Sequence, residues 1–133
     1  MLKIIYGKKG TGKSRNLVDS ANNEVKTAKG DIIYIDDSSR RMYDLKHEIR
    51  FVDTTEYGMD SQDKLYGFIC GILASNYDIS AVYMDSIKPV TDKKMNNAEN
   101  FIKCLDTITR DIHFVMVITG DPDHCPEFIK NYI

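Results

Sequence analysis

The eight residues from Gly7 to Ser14, GKKGTGKS, constrain this chain more than any other stretch. They fit G-x-x-x-x-G-K-[ST], the Walker A or phosphate-loop pattern, at every fixed position, and they follow the apolar run Leu2 to Tyr6. Each residue type has its own reason to be there. Gly7, Gly10 and Gly12 let the backbone turn tightly, so that several N–H groups converge on phosphate oxygens with no side chain in the way. Lys13 can reach the β- and γ-phosphates as a point charge, and Ser14 can give its hydroxyl to Mg²⁺. The helix that follows points its positive end at the same anion. The candidate phosphate-binding set is therefore Gly7, Lys8, Lys9, Gly10, Thr11, Gly12, Lys13, Ser14 and Arg15, with Lys13 also a candidate for catalysis. Lys8 and Lys9 read first as solvated loop charges that can also lean on phosphate.

The context agrees with the motif. A strand-like run precedes it, and Leu17, Val18, Ala21, Val25 and Ala28 follow at the three- and four-residue spacing of a helix. With 133 residues and 42% hydrophobic content, the chain is expected to form one domain, residues 1–133, around one core. A net charge of −2 supplies no global positive field, which disfavours nucleic acid and anionic lipid as partners. Cys70, Cys104 and Cys125 are odd in number and widely spaced, so reduced thiols are expected rather than a disulfide framework or a zinc site. The N-terminal apolar run is short for a signal peptide, and no segment reaches the ~18 apolar residues of a membrane span. A cytoplasmic location is the resulting expectation.

Further along, Lys29-Gly30 is a helix stop, and Ile32 to Ile35 is a continuous apolar run suited to a parallel strand covered on both faces. Asp36, Asp37, Ser38 and Ser39 read as a polar turn, and Arg40 to Glu48 as a loop or one short helix. Ile49 to Val52 predicts a short edge strand. Asp60 or Ser61 can cap a helix from Gln62 to about Ser75 that is apolar almost all round, so it is expected to pack on more than one side or to meet a partner. Its Gly67 and Gly71 read as close helix-on-sheet packing. Ala81 to Met84 predicts another buried strand, and Lys88-Pro89 a break. Met95, Ala98, Phe101, Ile102, Leu105 and Ile108 trace one helix face, with Thr91 or Asp92 as its cap. Phe114 to Ile118 is the last strand, and Pro126 opens a short terminal helix to about Tyr132. This alternation predicts an α/β fold of three layers: a mostly parallel sheet of about five strands with helices on both faces.

In such a sheet, ligands bind at the carboxyl ends of the strands. Asp85, preceded by four apolar residues, is the expected Walker B carboxylate and, with Ser14, a candidate metal ligand; the competing reading is a turn cap. Asp36 has the same local form but sits beside Asp37-Ser38-Ser39, so a plain turn is preferred to a metal role. Thr119 reads either as a polar sensor of the γ-phosphate or attacking water, and so as a candidate catalytic residue, or as an ordinary strand end. His124-Cys125 reads as a turn leading into a helix, and His47 and His113 as ordinary residues. The chain lacks an N-K-x-D guanine motif, which favours ATP over GTP.

The loop resembles that of the P-loop NTPase superfamily at every fixed position. Beyond it, the whole chain is similar to a group of small, stand-alone bacterial ATP-binding proteins, chiefly from Gram-positive anaerobes, often labelled twitching-motility (pilus retraction) ATPases. The shared segments are the G-x-K-G-T-G-K-[ST] opening, M-Y-D-L at Met42 to Leu45, R-F-V at Arg50 to Val52, and Y-G-F-I-C-G-I at Tyr66 to Ile72. The resemblance implies a P-loop NTPase fold and binding of ATP with Mg²⁺; it implies no pathway. Many P-loop ATPases carry a Glu directly after the Walker B Asp, where this chain has Ser86. Its five arginines, Arg15, Arg40, Arg41, Arg50 and Arg110, leave none after the last strand for an arginine finger or a kinase lid. Slow hydrolysis is expected, unless a homo-oligomer or an activating protein partner completes the site. A nucleotide-dependent switch without useful turnover is the alternative, and a small-molecule or nucleotide kinase is less favoured.

Overall fold

A computed structural model describes residues 1–87 and 98–133. Five strands alternate with helices: β1 (Leu2–Gly7), α1 (Lys13–Glu24), β2 (Asp31–Asp36), β3 (Ile49–Asp53), α2 (Gln62–Ser75), β4 (Ile79–Met84), α3 (Ala98–Ile108), β5 (His113–Thr119) and a single turn, α4 (Glu127–Lys130). The strands form one sheet in the order β1-β5-β4-β2-β3, and every pairing is parallel. The expected α/β class and its sheet of about five strands are therefore observed.

The apolar runs explain the layering. Along β2, Ile33 and Ile35 point to one face and Ile32 and Tyr34 to the other, and all four are buried. A strand covered on both sides needs no polar alternation. On one face α1 supplies Leu17, Val18 and Ala21 against Ile32, Tyr34, Ala81, Tyr83, Val115 and Val117. On the other, α2 (Leu65, Ile69), α3 (Ala98, Phe101, Ile102, Leu105) and Ile129 of α4 pack on Ile4, Ile35, Met84, Phe114, Met116 and Ile118. β3 is an edge strand, as its flanking charges suggest. The opposite edge is β1, where the Ile4 amide donates to the Tyr132 carbonyl at 2.8 Å.

Several expectations need correction. Helix α1 ends at Glu24, and residues 25–27 form turns, so Lys29-Gly30 is not its stop. The stretch from Arg40 to Glu48 contains one 3-10 turn, Met42–Asp44, and a second, Thr54–Tyr57, follows β3 unannounced. Of the two proposed caps for α2, Ser61 does the work, accepting from the Lys64 amide at 3.1 Å. Pro126 caps the last helical turn rather than lying inside it. Gly67 and Gly71 do not pack closely: a Cβ added at either meets nothing within 4 Å, because both lie on the exposed side of α2 while Leu65 and Ile69 are buried. The break at Lys88-Pro89, the caps Thr91 and Asp92, and Met95 lie outside the described residues. Among the described residues no helix is long and apolar enough to cross a membrane.

Candidate functional site

The Gly7 to Ser14 motif forms the link from β1 into α1. Gly10 and Gly12 both take φ +82°, a left-handed conformation that costs any residue with a Cβ about 1–2 kcal/mol, so the two glycines are conformational necessities. Gly12 is the residue that caps α1, and it has no side chain with which to accept from the first amides of the helix. The first turn holds no acid; it holds Lys13 and Arg15 instead. A helix start usually favours negative side chains, so an uncapped and positively charged start is suited to an external anion.

Lys13 is only 8% exposed. Its Nζ donates to the Lys8 carbonyl and reaches Thr11 Oγ1 at 3.4 Å, while the Thr11 hydroxyl donates to the same carbonyl at 2.8 Å. The ammonium is therefore held within the loop. Burial lowers its pKa, and the charge of Asp85 opposes that shift. Lys8, Lys9, Thr11 and Arg15 are exposed on the rim, Gly7 is buried and Ser14 half-buried.

Asp85, just past the end of β4, is 5% exposed and is reached from three elements. Its Oδ1 accepts from Ser14 Oγ at 3.0 Å and from the Ser86 amide at 2.7 Å. Its Oδ2 accepts from the Tyr34 hydroxyl of β2 at 3.3 Å. Burial, followed by the charges of Asp85 and Asp36, pushes the Tyr34 pKa far up, so this phenol stays protonated and donates. The Asp85 amide itself donates to the Ile35 carbonyl at 2.9 Å, which carries the β2–β4 pairing one residue further and fixes the height of the carboxylate.

The structure thus brings Ser14 and Asp85 together and sets Lys13 close enough for Asp85 to influence its charge. It also settles what Thr119 touches. Its hydroxyl lies 2.9 Å from that of Ser86, so the ends of β5 and β4 are joined by a hydroxyl pair next to Asp85. From the end of β5, the Gly120 amide donates to the Gly7 carbonyl at 2.9 Å, tying this strand end to the loop as well.

Two residues carry more than sequence reasoning assigned them. Tyr34, hidden in an apolar run, gives no sign of its hydroxyl's partner. Asp36 accepts from the Asp37 amide at 2.7 Å where the chain bends after β2, yet it is only 6% exposed. Burial first, and then the charge of Asp85, raise its pKa to about 7 against the offsetting Asp37 amide. The signal was the shared pattern of an apolar strand closed by Asp, which Asp36 and Asp85 both follow. His124 pairs with Asp121 at 3.1 Å on an exposed 3-10 turn and makes no contact with the loop through that pair.

The donor set fits Mg²⁺. A serine hydroxyl and a carboxylate 3.0 Å apart are hard oxygen donors, and magnesium is usually held by one or two protein oxygens together with phosphates and waters. Among the described residues no three His, Cys, Asp or Glu side chains group into an all-protein metal site. Two open clefts lie elsewhere: one of about 560 Å³ is lined by Met42, Tyr43, Arg50 and neighbours, and one of about 330 Å³ by Glu99, Lys103, Phe128 and others. Neither is lined by a residue of the loop Gly7 to Ser14. Compared with models of known protein families and with curated proteins, the chain matches neither.

Proposed function

We propose that the chain binds a nucleoside triphosphate, ATP, together with Mg²⁺, through the loop Gly7 to Ser14 and Asp85, as a member of the P-loop NTPase superfamily. The observation that carries this reading is the 3.0 Å hydrogen bond from Ser14 to Asp85, between a residue in the first turn of an uncapped helix and a carboxylate two strands away. Loop amides and the start of α1 hold the phosphates, and Lys13 leaves the Lys8 carbonyl to meet the β- and γ-oxygens. Ser14 and Asp85 hold the cation, one by its hydroxyl and the other by its carboxylate. The ion's contribution when bound is to neutralise charge on the transferring phosphoryl group.

Hydrolysis by the isolated chain is slow in this account. The residue after Asp85 is Ser86, whose hydroxyl is paired with Thr119, and no arginine follows the last strand to stabilise the charge on the transferring phosphoryl group. Lys13→Ala tests the binding claim. Loss of a charge-assisted contact worth about 1.5–3 kcal/mol lowers affinity for Mg·ATP by about 10–100-fold in calorimetry. Undiminished affinity contradicts it.

A second reading, a nucleotide-dependent switch without useful turnover, draws on the exposed face of α2, where Gly67, Gly71 and Ala74 leave a smooth surface on an otherwise apolar helix. Steady-state phosphate release, alone and with candidate partners or at rising protein concentration, separates the two. A rate that climbs with either indicates an activated hydrolase, and a rate that stays at background indicates the switch.

A further inference from the structure

We propose that Asp36 supplies the carboxylate that position 86 lacks, accepting the proton of the oxygen that attacks the γ-phosphate. This assignment rests on the nucleotide-binding reading above and extends it to the nucleophile's side of the site. Ile35 of β2 lies opposite Met84 of β4, so the next residues, Asp36 and Asp85, stand side by side at the carboxyl ends of adjacent strands. On the other side of Asp36, Asp53 is its partner across β3. Three neighbouring strands therefore end in aspartate at one level, and only Asp85 of the three touches Ser14.

The comparison between Asp36 and Asp53 separates a structural carboxylate from a functional one. Both accept from a backbone amide close by in sequence. Asp53 caps the 3-10 turn Thr54–Tyr57, accepting from the Thr55 amide at 2.9 Å and its hydroxyl at 2.6 Å, and Asp36 accepts from the Asp37 amide at 2.7 Å. A turn cap needs no burial, and Asp53 is half-exposed. Asp36 is 6% exposed and faces the charge of a second buried carboxylate, a position that costs stability and that capping does not require. Asp36 is thus placed beside the carboxylate that takes the hydrogen bond from Ser14. A nucleophile approaching the γ-phosphate in line, opposite the leaving oxygen, needs a proton acceptor outside the shell that Ser14 and Asp85 complete.

The step balances with water as the nucleophile. A lone pair of the water oxygen forms the new bond to the γ-phosphorus. The bond from that phosphorus to the β–γ bridging oxygen breaks, and its electron pair stays on ADP. The water proton passes to Asp36, whose carboxyl also interacts with the side chain of half-exposed Asp37, and leaves from there to solvent. The products are ADP, inorganic phosphate and one proton.

The test compares wild type, Asp36→Asn, Asp36→Glu and Asp53→Asn. Calorimetry reads Mg·ATP affinity and the extra affinity that aluminium fluoride confers on Mg·ADP, a probe of the in-line arrangement that needs no turnover. Phosphate release reads the rate. The expected result for Asp36→Asn is Mg·ATP affinity within about threefold of wild type, a rate lower by about 10²-fold or more, and loss of the aluminium fluoride increment. Asp36→Glu restores part of both, and Asp53→Asn leaves both in place. Equal rates for wild type and Asp36→Asn, including equality at background, overturn the assignment, as does an unchanged aluminium fluoride increment. Failure of the nucleotide reading itself is recognised separately, by wild type and Lys13→Ala showing the same Mg·ATP affinity.

Discussion

Asp85 shows how a single side chain acquires a role through the groups around it. Ser14 and Ser86 donate to its Oδ1 and Tyr34 to its Oδ2, so three groups orient the carboxylate and lone pairs remain for a further ligand. A carboxylate accepting several hydrogen bonds is held in one orientation. Asp36, beside it, is governed by burial. With its pKa raised from 3.8 to about 7, Asp36 binds a proton in the folded chain that it has released in the unfolded chain across that interval. Stability from this group is therefore fully present below about pH 4 and is lost as pH rises through about 7. Burial sets most of the shift, followed by the charge of Asp85, with Asp37 acting in both directions through its amide and its side chain. In nucleotide-free protein, denaturant midpoints are expected to fall between pH 5 and pH 8, by roughly 1–3 kcal/mol in ΔG, and Asp36→Asn is expected to flatten that slope. An unchanged slope in the variant contradicts the burial argument. At this scale the strand-to-helix loop Gly7 to Ser14 and the strand-terminal position of Asp85 were legible in the sequence, because motif spacing and the end of an apolar run are local properties. Asp36 was not, since its local pattern matches that of Asp85 and of a simple turn alike. What distinguishes it is the pairing of β2 with β4, which no stretch of sequence contains.

Helices α1 and α2 illustrate two limits of reading an element from its pattern. The start of α1 is encoded completely: glycines with positive φ, no capping side chain and basic residues in the first turn all fit an anion in place of a cap. Its end is not. Val25 and Ala28 continue the helical spacing, but the backbone departs at Glu24, where the Ala28 amide closes a last turn on the Glu24 carbonyl at 2.8 Å. For α2, periodicity identifies the helix and its span, while G-x-x-x-G cannot say which way the glycines face. They face outward, and the packing against the sheet is made by Leu65 and Ile69 with Tyr66, Phe68, Ile72 and Leu73 partly buried beside them. A solvent-facing glycine in a helix interior costs about 0.5–1 kcal/mol relative to alanine. Gly67→Ala and Gly71→Ala are each expected to raise the thermal midpoint by a few degrees, in line with that gain. A lowered midpoint, or one that falls only at high protein concentration, shows instead that another surface covers this face.

The whole molecule places the loop Gly7 to Ser14 at one edge of the sheet and Asp85 two strands inward, with β5 between them. Alternating apolar runs and helical faces made the α/β class and the parallel sheet legible; the order β1-β5-β4-β2-β3 follows from crossovers that have no local signature. That order has a consequence for the site. With β5 inserted, Thr119 comes between the loop and Asp85, and the contacts Gly120 to Gly7 and Thr119 to Ser86 lock the three strand ends into one surface. The outer edge of β1 is covered in part by the Tyr132 carbonyl, and the Tyr132 hydroxyl donates to Asp106 at 3.0 Å, so the strand that carries the loop is supported on both sides. The central claim is that these strand ends form a Mg·nucleotide site. A crystal structure of the chain with Mg²⁺ and a non-hydrolysable ATP analogue tests it most directly. The account predicts the β- and γ-phosphates against the amides of the loop and the start of α1, Lys13 turned from the Lys8 carbonyl to their oxygens, and the cation between Ser14 and Asp85. A nucleotide seated elsewhere, such as the cleft lined by Tyr43 and Arg50, with Lys13 still on the Lys8 carbonyl, would contradict it.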